Sequence, residues 1–460
     1  MKLADLYAKS PVAVQNVFAS GYGLRERIRR YGGTYKELVH ELQLHQWASP
    51  EELAADQLAR LREQLAWCGR EVPHYRDQFR ELGFDPRDVS EVADLAALPL
   101  LEKEVVRADP DRFVPDRNPP KLIAQTTGGT TGTPLRYWAT VEAVRFNYAA
   151  YEARTRRWAG TRFGDRIASI HGQPIVPADD QDGPFWRRNL AFNQLYLSVY
   201  HLNDANLPSY IDELERFDPH AIAGYTSAVH RIAQHLLATG DVGRVSPSCI
   251  LVSSETLTPA VRRDMEQAFG CRVFNGYSLG ELVAWISECP EGSMHVSTEY
   301  GVVELVDGPA GTEIVATGLN NRGMPLIRYR TGDLATASDD PCRCGRHLPV
   351  LSSLTGRVDD VVRTPEGSVV GPAPMSLAFQ RVPRLRRAQV HQDSVDAIRI
   401  LLEPAAGFSD DDAAFLDREL RKRLGTTLRI DYEHVEAIPR TSGGKERLVV
   451  SSLGRSAIPR

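Results

Sequence analysis

Apolar residues in the first hundred positions recur at near-helical spacing. From Pro50 to Leu61, leucines at 53, 58 and 61 line one face, and Ser49 stands before Pro50 as a cap. Residues 1–105 are therefore expected to be mostly helical, a cap on the main body. Beyond Leu122 the pattern changes. Short β-rich runs (Ile167–Ile170, Ala221–Ala223, Cys249–Val252, Cys271–Phe274) alternate with amphipathic stretches such as Thr226–Ala238 and Pro259–Phe269. That alternation predicts an α/β fold with largely parallel sheets, ligands binding at strand C-termini. From Gly301 to Thr317 apolar and polar residues alternate singly, which predicts an antiparallel stretch. Near Gly356 a second unit is expected to begin, with strands at Ala388–His391 and Ala397–Leu402, a helix over Ser409–Leu424 and a strand through Leu428–Ile430. The expected division is a large multi-layer body over 1–356 and a small α+β unit over 357–460.

Composition narrows the partners. The 460 residues carry a net charge of −5 with no long basic run, so no nucleic-acid partner is expected. No apolar run reaches membrane-spanning length, and residues 1–16 lack a signal-peptide core, so no membrane and a cytoplasmic location are expected. Only seven lysines occur among the 55 basic residues, which marks any lysine in a glycine-rich loop.

The candidate chemistry centres on Gln125-Thr126-Thr127-Gly128-Gly129-Thr130-Thr131-Gly132-Thr133-Pro134. Glycine lets backbone N–H groups approach a ligand, and threonine hydroxyls add donors, a suitable cradle for phosphates. A polar surface loop is the competing reading. A P-loop is excluded, because Thr133 and Pro134 stand where Lys-Ser/Thr would open a helix. Four further stretches bear chemistry. Phe274-Asn275-Gly276-Tyr277-Ser278-Leu279-Gly280-Glu281 offers an aromatic face and a carboxylate able to hold Mg²⁺. Tyr329-Arg330-Thr331-Gly332-Asp333 offers a carboxylate for ribose hydroxyls. Gly356-Arg357-Val358-Asp359-Asp360 offers a guanidinium. Pro439-Arg440-Thr441-Ser442-Gly443-Gly444-Lys445 ends in one of the rare lysines, able to stabilise developing negative charge. Each alone is also an ordinary turn. Separately, Cys289, His295, Cys342 and Cys344 have a spacing compatible with tetrahedral Zn²⁺, with His347 a neighbour of the same kind and free thiols the alternative.

In order and spacing these stretches resemble the adenylate-forming superfamily, and more closely the phenylacetate–CoA ligase family with its capsular-polysaccharide-type members. Tyr31-Gly32-Gly33-Thr34-Tyr35, Val72-Pro73-His74-Tyr75-Arg76, Ser253-Ser254-Glu255-Thr256-Leu257 and Cys342-Arg343-Cys344-Gly345-Arg346 extend the resemblance over nearly the whole chain. Gly128 and Thr133 depart from the serine and lysine common in the family's loop. The resemblance implies an acyl-CoA synthetase-like fold with a mobile C-terminal lid. It implies that Thr127 to Thr133 wrap phosphates, Tyr277 adjoins adenine, Ser278 belongs to the cofactor site, and Glu281 holds Mg²⁺. It also implies that Asp333 binds ribose, Arg357 contacts nucleotide, Asp359 is the hinge and Lys445 catalyses adenylation.

The expected activity is ATP-dependent conversion of an aryl or arylacetic acid to acyl-AMP, followed by transfer to CoA. Transfer to an amine, a hydroxyl or a carrier-protein thiol is the alternative. A degenerate nucleotide-binding scaffold is a third reading, opposed by Glu281, Asp333, Arg357 and Lys445. His171, Tyr225, Phe274 and Gly276 are the expected substrate pocket. A homodimer is left open.

Overall fold

The computed structural model describes residues 7, 10–126, 135–177, 180, 182–308, 311–357, 361–370, 375, 378, 379, 381–441, 444 and 446–453. The N-terminal region is helical as expected, with helices over Val12–Tyr31, Tyr35–His45, Pro50–Glu71 and Pro73–Leu82. The third opens with a full capping box, Ser49 Oγ accepting from Glu52 N–H while Glu52 accepts from Ser49 N–H.

This region is more than a cap. Leu61, Leu65 and Tyr75 are buried in one core with Leu282, Val283, Ile314 and Tyr329 of the main body. Tyr75 Oη donates to the Pro325 carbonyl (3.1 Å) and accepts from Ile327 N–H (2.9 Å), fixing the loop before a central strand.

Two strands, β1 (Leu122–Thr126) and β2 (Arg136–Thr140), pair antiparallel and flank the glycine/threonine loop. The loop itself, 127–134, lies outside the described residues. Next come β3 (Ile167–His171), β4 (Trp186–Asn189), β5 (Gln194–Ser198), β6 (Ala221–Tyr225), β7 (Cys249–Ser253) and β8 (Arg272–Ser278). They are followed by β9 (Trp285–Glu288), β10 (Met294–Val296), β11 (Gly301–Gly308), β12 (Gly311–Gly318), β13 (Tyr329–Ser338) and β14 (Val350–Arg357). Among the described residues, strands β3 to β14 form one twelve-stranded sheet in the order β11-β12-β13-β14-β10-β9-β8-β7-β6-β3-β5-β4.

Within this sheet the parallel expectation holds for β5-β3-β6-β7-β8, and its other described neighbours are antiparallel. Single alternation over 301–317 becomes the β11–β12 hairpin. The helices Thr226–Thr239 and Pro259–Phe269 cover the parallel half, burying Val229, Ile232, Met265 and Phe269.

The C-terminal unit has its own core, from Val362 to Val449. A short pair, β15 (Val362–Arg363) and β16 (Val369–Val370), precedes a four-stranded sheet. That sheet contains β17 (Leu385–Ser394), β18 (Ala397–Pro404), β19 (Arg429–His434) and β20 (Val449–Ser451), with the helix Asp410–Leu424 packed on it. No helix among the described residues is long and apolar enough to cross a membrane.

A buried ion cluster ties the N-terminal helices to the sheet. Arg154 and Glu299 are both fully buried, 2.6 Å apart, and Arg154 Nη1 also donates to the Leu42 carbonyl at 2.6 Å. His45 joins them, Nδ1 being 3.4 Å from Glu299 Oε2 and Nε2 being 3.1 Å from Asp56 Oδ2. Burial alone would lower the His45 pKa, but the two carboxylates outweigh it and raise it to about 9. The folded pKa exceeds the unfolded value of about 6.5, so this stabilisation is complete below about pH 6.5 and is lost as pH rises through about 9. His45→Gln should therefore lower the denaturant midpoint relative to wild type in mildly acidic buffer, the gap closing above about pH 9. Parallel pH profiles for the two proteins would contradict this.

Candidate functional site

The site forms where the parallel strands end. Past the C-terminus of β8 the chain turns sharply through Leu279 and Gly280, with Leu282 N–H donating to the Leu279 carbonyl at 3.1 Å. Leu282 has φ +60°, unusual for a residue with a side chain, and the next strand is reached at Trp285. Backbone approach makes the turn fit: a Cβ on Gly301 would lie 2.0 Å from the Val283 carbonyl oxygen, and one on Gly318 would lie 2.8 Å from that of Leu282.

The turn buries Glu281, which is only 5% exposed. Its Oε1 accepts from Tyr329 Oη at 3.0 Å and lies 3.3 Å from Lys103 Nζ. Lys103 arrives because Leu101 bridges to β13: Leu101 N–H donates to the Arg328 carbonyl (2.8 Å), and Arg330 N–H donates back to Leu101 (3.0 Å). Its neighbour Glu102 accepts from Arg330 Nη1 at 2.7 Å. In the sequence, only the scarcity of lysine sets this stretch apart.

Above this turn a cleft of about 710 Å³ separates the main body from the C-terminal unit. Gly276, Tyr277, Ser278 and Asp333 line the body side, while Arg386, Arg387 and Glu446 line the opposite side. Tyr277 Oη donates to Asp333 Oδ2 at 2.8 Å, so two residues separated by 56 positions form one pair. Asp333 N–H donates to Thr331 Oγ1 at 3.0 Å, and Asp333 is the strand partner of Arg357.

The cleft is closed along one edge by polar contacts between the units. Glu255 Oε1 accepts from Glu446 N–H (2.9 Å), and its Oε2 accepts from Ser227 N–H (2.7 Å). Burial pushes the Glu255 pKa up, against the lowering effect of these donors. The Glu446 carboxylate accepts from Arg387 (2.6 Å) and Arg440 (3.1 Å), and Arg440 also donates to the Val199 carbonyl. Arg386 pairs with Asp204 at 2.9 Å. Glu255 lies in a stretch that carries the family resemblance, but nothing in the sequence names its partner.

Of the expected site residues, the structure brings Tyr277, Ser278, Gly276 and Asp333 to the cleft and Glu281 beneath its turn. Thr127, Gly128, Gly129, Thr130, Thr131, Gly132 and Thr133, together with Asp359 and Lys445, lie outside the described residues. The neighbours of Lys445 are described: Gly444 N–H donates to the Thr441 carbonyl at 2.8 Å, and Glu446 N–H reaches Glu255.

Of the four residues expected to line a substrate pocket, Gly276 reaches the cleft. Phe274 is 6% exposed and packs in the core with Ala223, Cys249 and Leu251. It sits inside β8, where the sheet is covered, and not at the strand end. His171 and Tyr225 contact each other edge-on at 5.4 Å but line neither the cleft nor the smaller cavity beyond the 278–282 turn.

In a separate cluster, one ligand atom from each of Cys289, His295, Cys342 and Cys344 lies within 4.8 Å of the others. Cys289 and Cys342 sulfurs are 3.6 Å apart, too far for a disulfide of about 2.0 Å. Tetrahedral zinc with Zn–S near 2.3 Å has sulfur–sulfur edges of about 3.8 Å, so the spacing fits. His295 Nε2 is 3.3 Å from Cys344 Sγ, while Nδ1 is 3.0 Å from the Leu348 carbonyl, a contact that would orient the ring as a ligand. His347 instead contacts the Ala48 carbonyl.

Comparison with known proteins gives consistent relatives. The CapK C-terminal domain family model matches residues 362–452. Protein CapK of Staphylococcus aureus is 28% identical over 452 residues, spanning 97% of this chain and 99% of that protein. Phenylacetate-coenzyme A ligase of Thermus thermophilus is 25% identical over 439 residues, spanning 87% and 96%. In fold, the chain is similar to 2-hydroxyisobutyryl-CoA ligase in the postadenylation state, with a TM-score of 0.70, 19% identity and coverage of 89% and 91%.

The four-ligand cluster generates a direct expectation. Purified protein should carry about one zinc per chain, and Cys344→Ser should lose metal and thermal stability together, because a closed structural site is coupled to folding. Wild-type protein that is metal-free and equally stable would contradict it.

Proposed function

For this chain, a phenylacetate–CoA ligase-like protein of the adenylate-forming superfamily, we propose ATP-dependent activation of a carboxylic acid to acyl-AMP, followed by transfer to the thiol of CoA. The observation that carries the reading is the Tyr277–Asp333 pair at the wall of a cleft between the two units, with Glu281 buried below it. A ring face and a fixed carboxylate, side by side, suit adenine and ribose.

In the first step a carboxylate oxygen of the acid attacks the α-phosphorus of ATP. The bond from that phosphorus to the bridging oxygen breaks, and pyrophosphate leaves. In the second step a thiolate attacks the acyl carbon and AMP leaves with the electron pair, the thiol proton passing to solvent. Both steps build negative charge on oxygen. Backbone N–H groups of 127–133 and the ammonium of Lys445 are the proposed stabilisers, acting electrostatically. Glu281 would hold Mg²⁺: one carboxylate completed by substrate phosphates is a common arrangement for this ion. The ion would neutralise phosphate oxygens, and Lys103 would then share that charge-balancing position. Arg357, strand partner of Asp333, is the proposed nucleotide-side cation, and Asp359 the hinge of a lid over 357–460.

Transfer to a carrier-protein thiol or an amine would use the same first step and is separated by product analysis.

Two variants test the assignment. Asp333→Asn removes a charge-assisted acceptor and should raise the KM for ATP by about 10–100-fold, the cost of one such bond. Lys445→Ala should cut acyl-AMP formation by about 10²–10³-fold with thermal stability unchanged. ATP–pyrophosphate exchange measures both. Near-normal exchange in Lys445→Ala, or an unchanged ATP KM in Asp333→Asn, would remove the respective role.

A further inference from the structure

The 278–282 turn separates the cleft from a second, smaller cavity of about 280 Å³. Ser254, Ser278 and Leu279 line both, so the two spaces meet at the turn. In an acyl-AMP the acyl group and the nucleoside lie on opposite sides of one phosphate. With the nucleoside beside Tyr277 and Asp333, the acyl group falls in the second cavity. This step rests on the adenylation reading above. At about 30 Å³ per water, the cavity holds roughly nine waters, the size of a small acid.

Its walls are polar and cationic. Arg29, Arg30, Gln125, Tyr137, Asn147 and Tyr148 line it. Arg29 and Arg30 share a single buried carboxylate, Glu26, Arg30 Nε being 2.9 Å from it. Among the described residues these two guanidiniums pair with one carboxylate, which leaves one positive charge without an acid of its own. Arg29 Nε is buried without a hydrogen-bond partner among the described residues, whereas Arg30 Nε faces Glu26. Arg30 is also held over the Tyr148 ring at 4.6 Å, which fixes its plane. The two amide oxygens on the wall are occupied: Gln125 Oε1 accepts from Tyr137 (3.0 Å) and Asn147 Oδ1 from Tyr300 (2.7 Å). Among the described residues their NH₂ groups have no recorded acceptor and remain as donors. An apolar acyl chain would leave that cation and those donors desolvated.

We propose that the acid carries a second anionic group, bound by Arg29 and Arg30 in the wall of this cavity. A guanidinium matches a carboxylate in a bidentate manner and also accepts a phosphonate. The substrate class is therefore a small dianionic acid rather than an aryl or arylacetic one.

The test is ATP–pyrophosphate exchange with matched acids: succinate and glutarate against butyrate, valerate and phenylacetate, with 3-phosphonopropionate as the phosphonate arm. The diacids or the phosphonate should exceed the monoacids by about 10²-fold or more in kcat/KM, because a site built to bond a polar group rejects the analogue lacking it. Whichever of the two leads identifies the second anion. Arg30→Gln should remove the preference. Asn147→Asp keeps the oxygen that Tyr300 donates to but adds a negative charge, and it should reverse the preference even if the arginine variant fails to fold. Monoacids as the best substrates, or a diacid preference untouched by Asn147→Asp, would overturn the proposal while leaving adenylation standing. If no acid supports exchange, calorimetric titration with glutarate and with 3-phosphonopropionate decides. Binding of either that is weakened by Asn147→Asp keeps the anion site and removes the adenylation reading; absence of such binding overturns the proposal.

Discussion

A carboxylate with 5% exposure is costly unless its charge is met, and Glu281 is met from two directions at once. Tyr329 comes from the first residue of β13, and Lys103 from the segment that follows the N-terminal helices. The turn carrying Glu281 requires a left-handed Leu282 and two glycines, Gly301 and Gly318, against which its backbone lies. Helical region, turn and antiparallel half of the sheet must therefore assemble together. The N-terminal hundred residues thus help build the site's floor.

The same turn divides the molecule's internal space. On one side lies the cleft with Tyr277 and Asp333, and on the other the cavity with Arg29 and Arg30. A reaction joining two molecules at one phosphorus needs both held on either side of that atom, and orientation of this kind is a large part of catalytic power. The C-terminal unit closes the cleft with polar contacts around Glu255 and Glu446. Such an interface, made of ion pairs and single hydrogen bonds between two separate cores, can open without unfolding either unit.

Much of this was legible in the sequence where local rules govern. The Ser49-Pro50 start of a helix, the strand-helix alternation from 221 to 278 and the 301–317 hairpin each follow from caps and periodicity. Tyr277 and Glu281 stand at and just past the end of β8 and Asp333 follows Gly332 within β13; each was identifiable from its turn-rich stretch, and folding brings Tyr277 and Asp333 together. Lys103 and Glu255 were not, because their roles depend on partners 178 and 191 residues away. Phe274, expected in the substrate pocket, is a related case. Phe274 looks available beside Gly276, but a residue inside a covered strand faces the core, and only the strand's end reaches ligand. Arg29 and Arg30 lie in the last turn of the first helix, and only Glu26 and the cavity beside them single them out. For the glycine/threonine loop and Lys445, which lie outside the described residues, the sequence remains the sole basis.

The most direct measurement is the fate of oxygen. Carboxylate labelled with ¹⁸O, from whichever acid supports the fastest exchange, is incubated with ATP, CoA and the enzyme, and the products are separated by mass spectrometry. Attack on the α-phosphorus followed by thioester formation leaves one labelled oxygen in AMP and none in pyrophosphate, and this is the result we expect. Label in inorganic phosphate, with ADP as the nucleotide product, would mean attack at the γ-phosphorus and would contradict adenylation at this site.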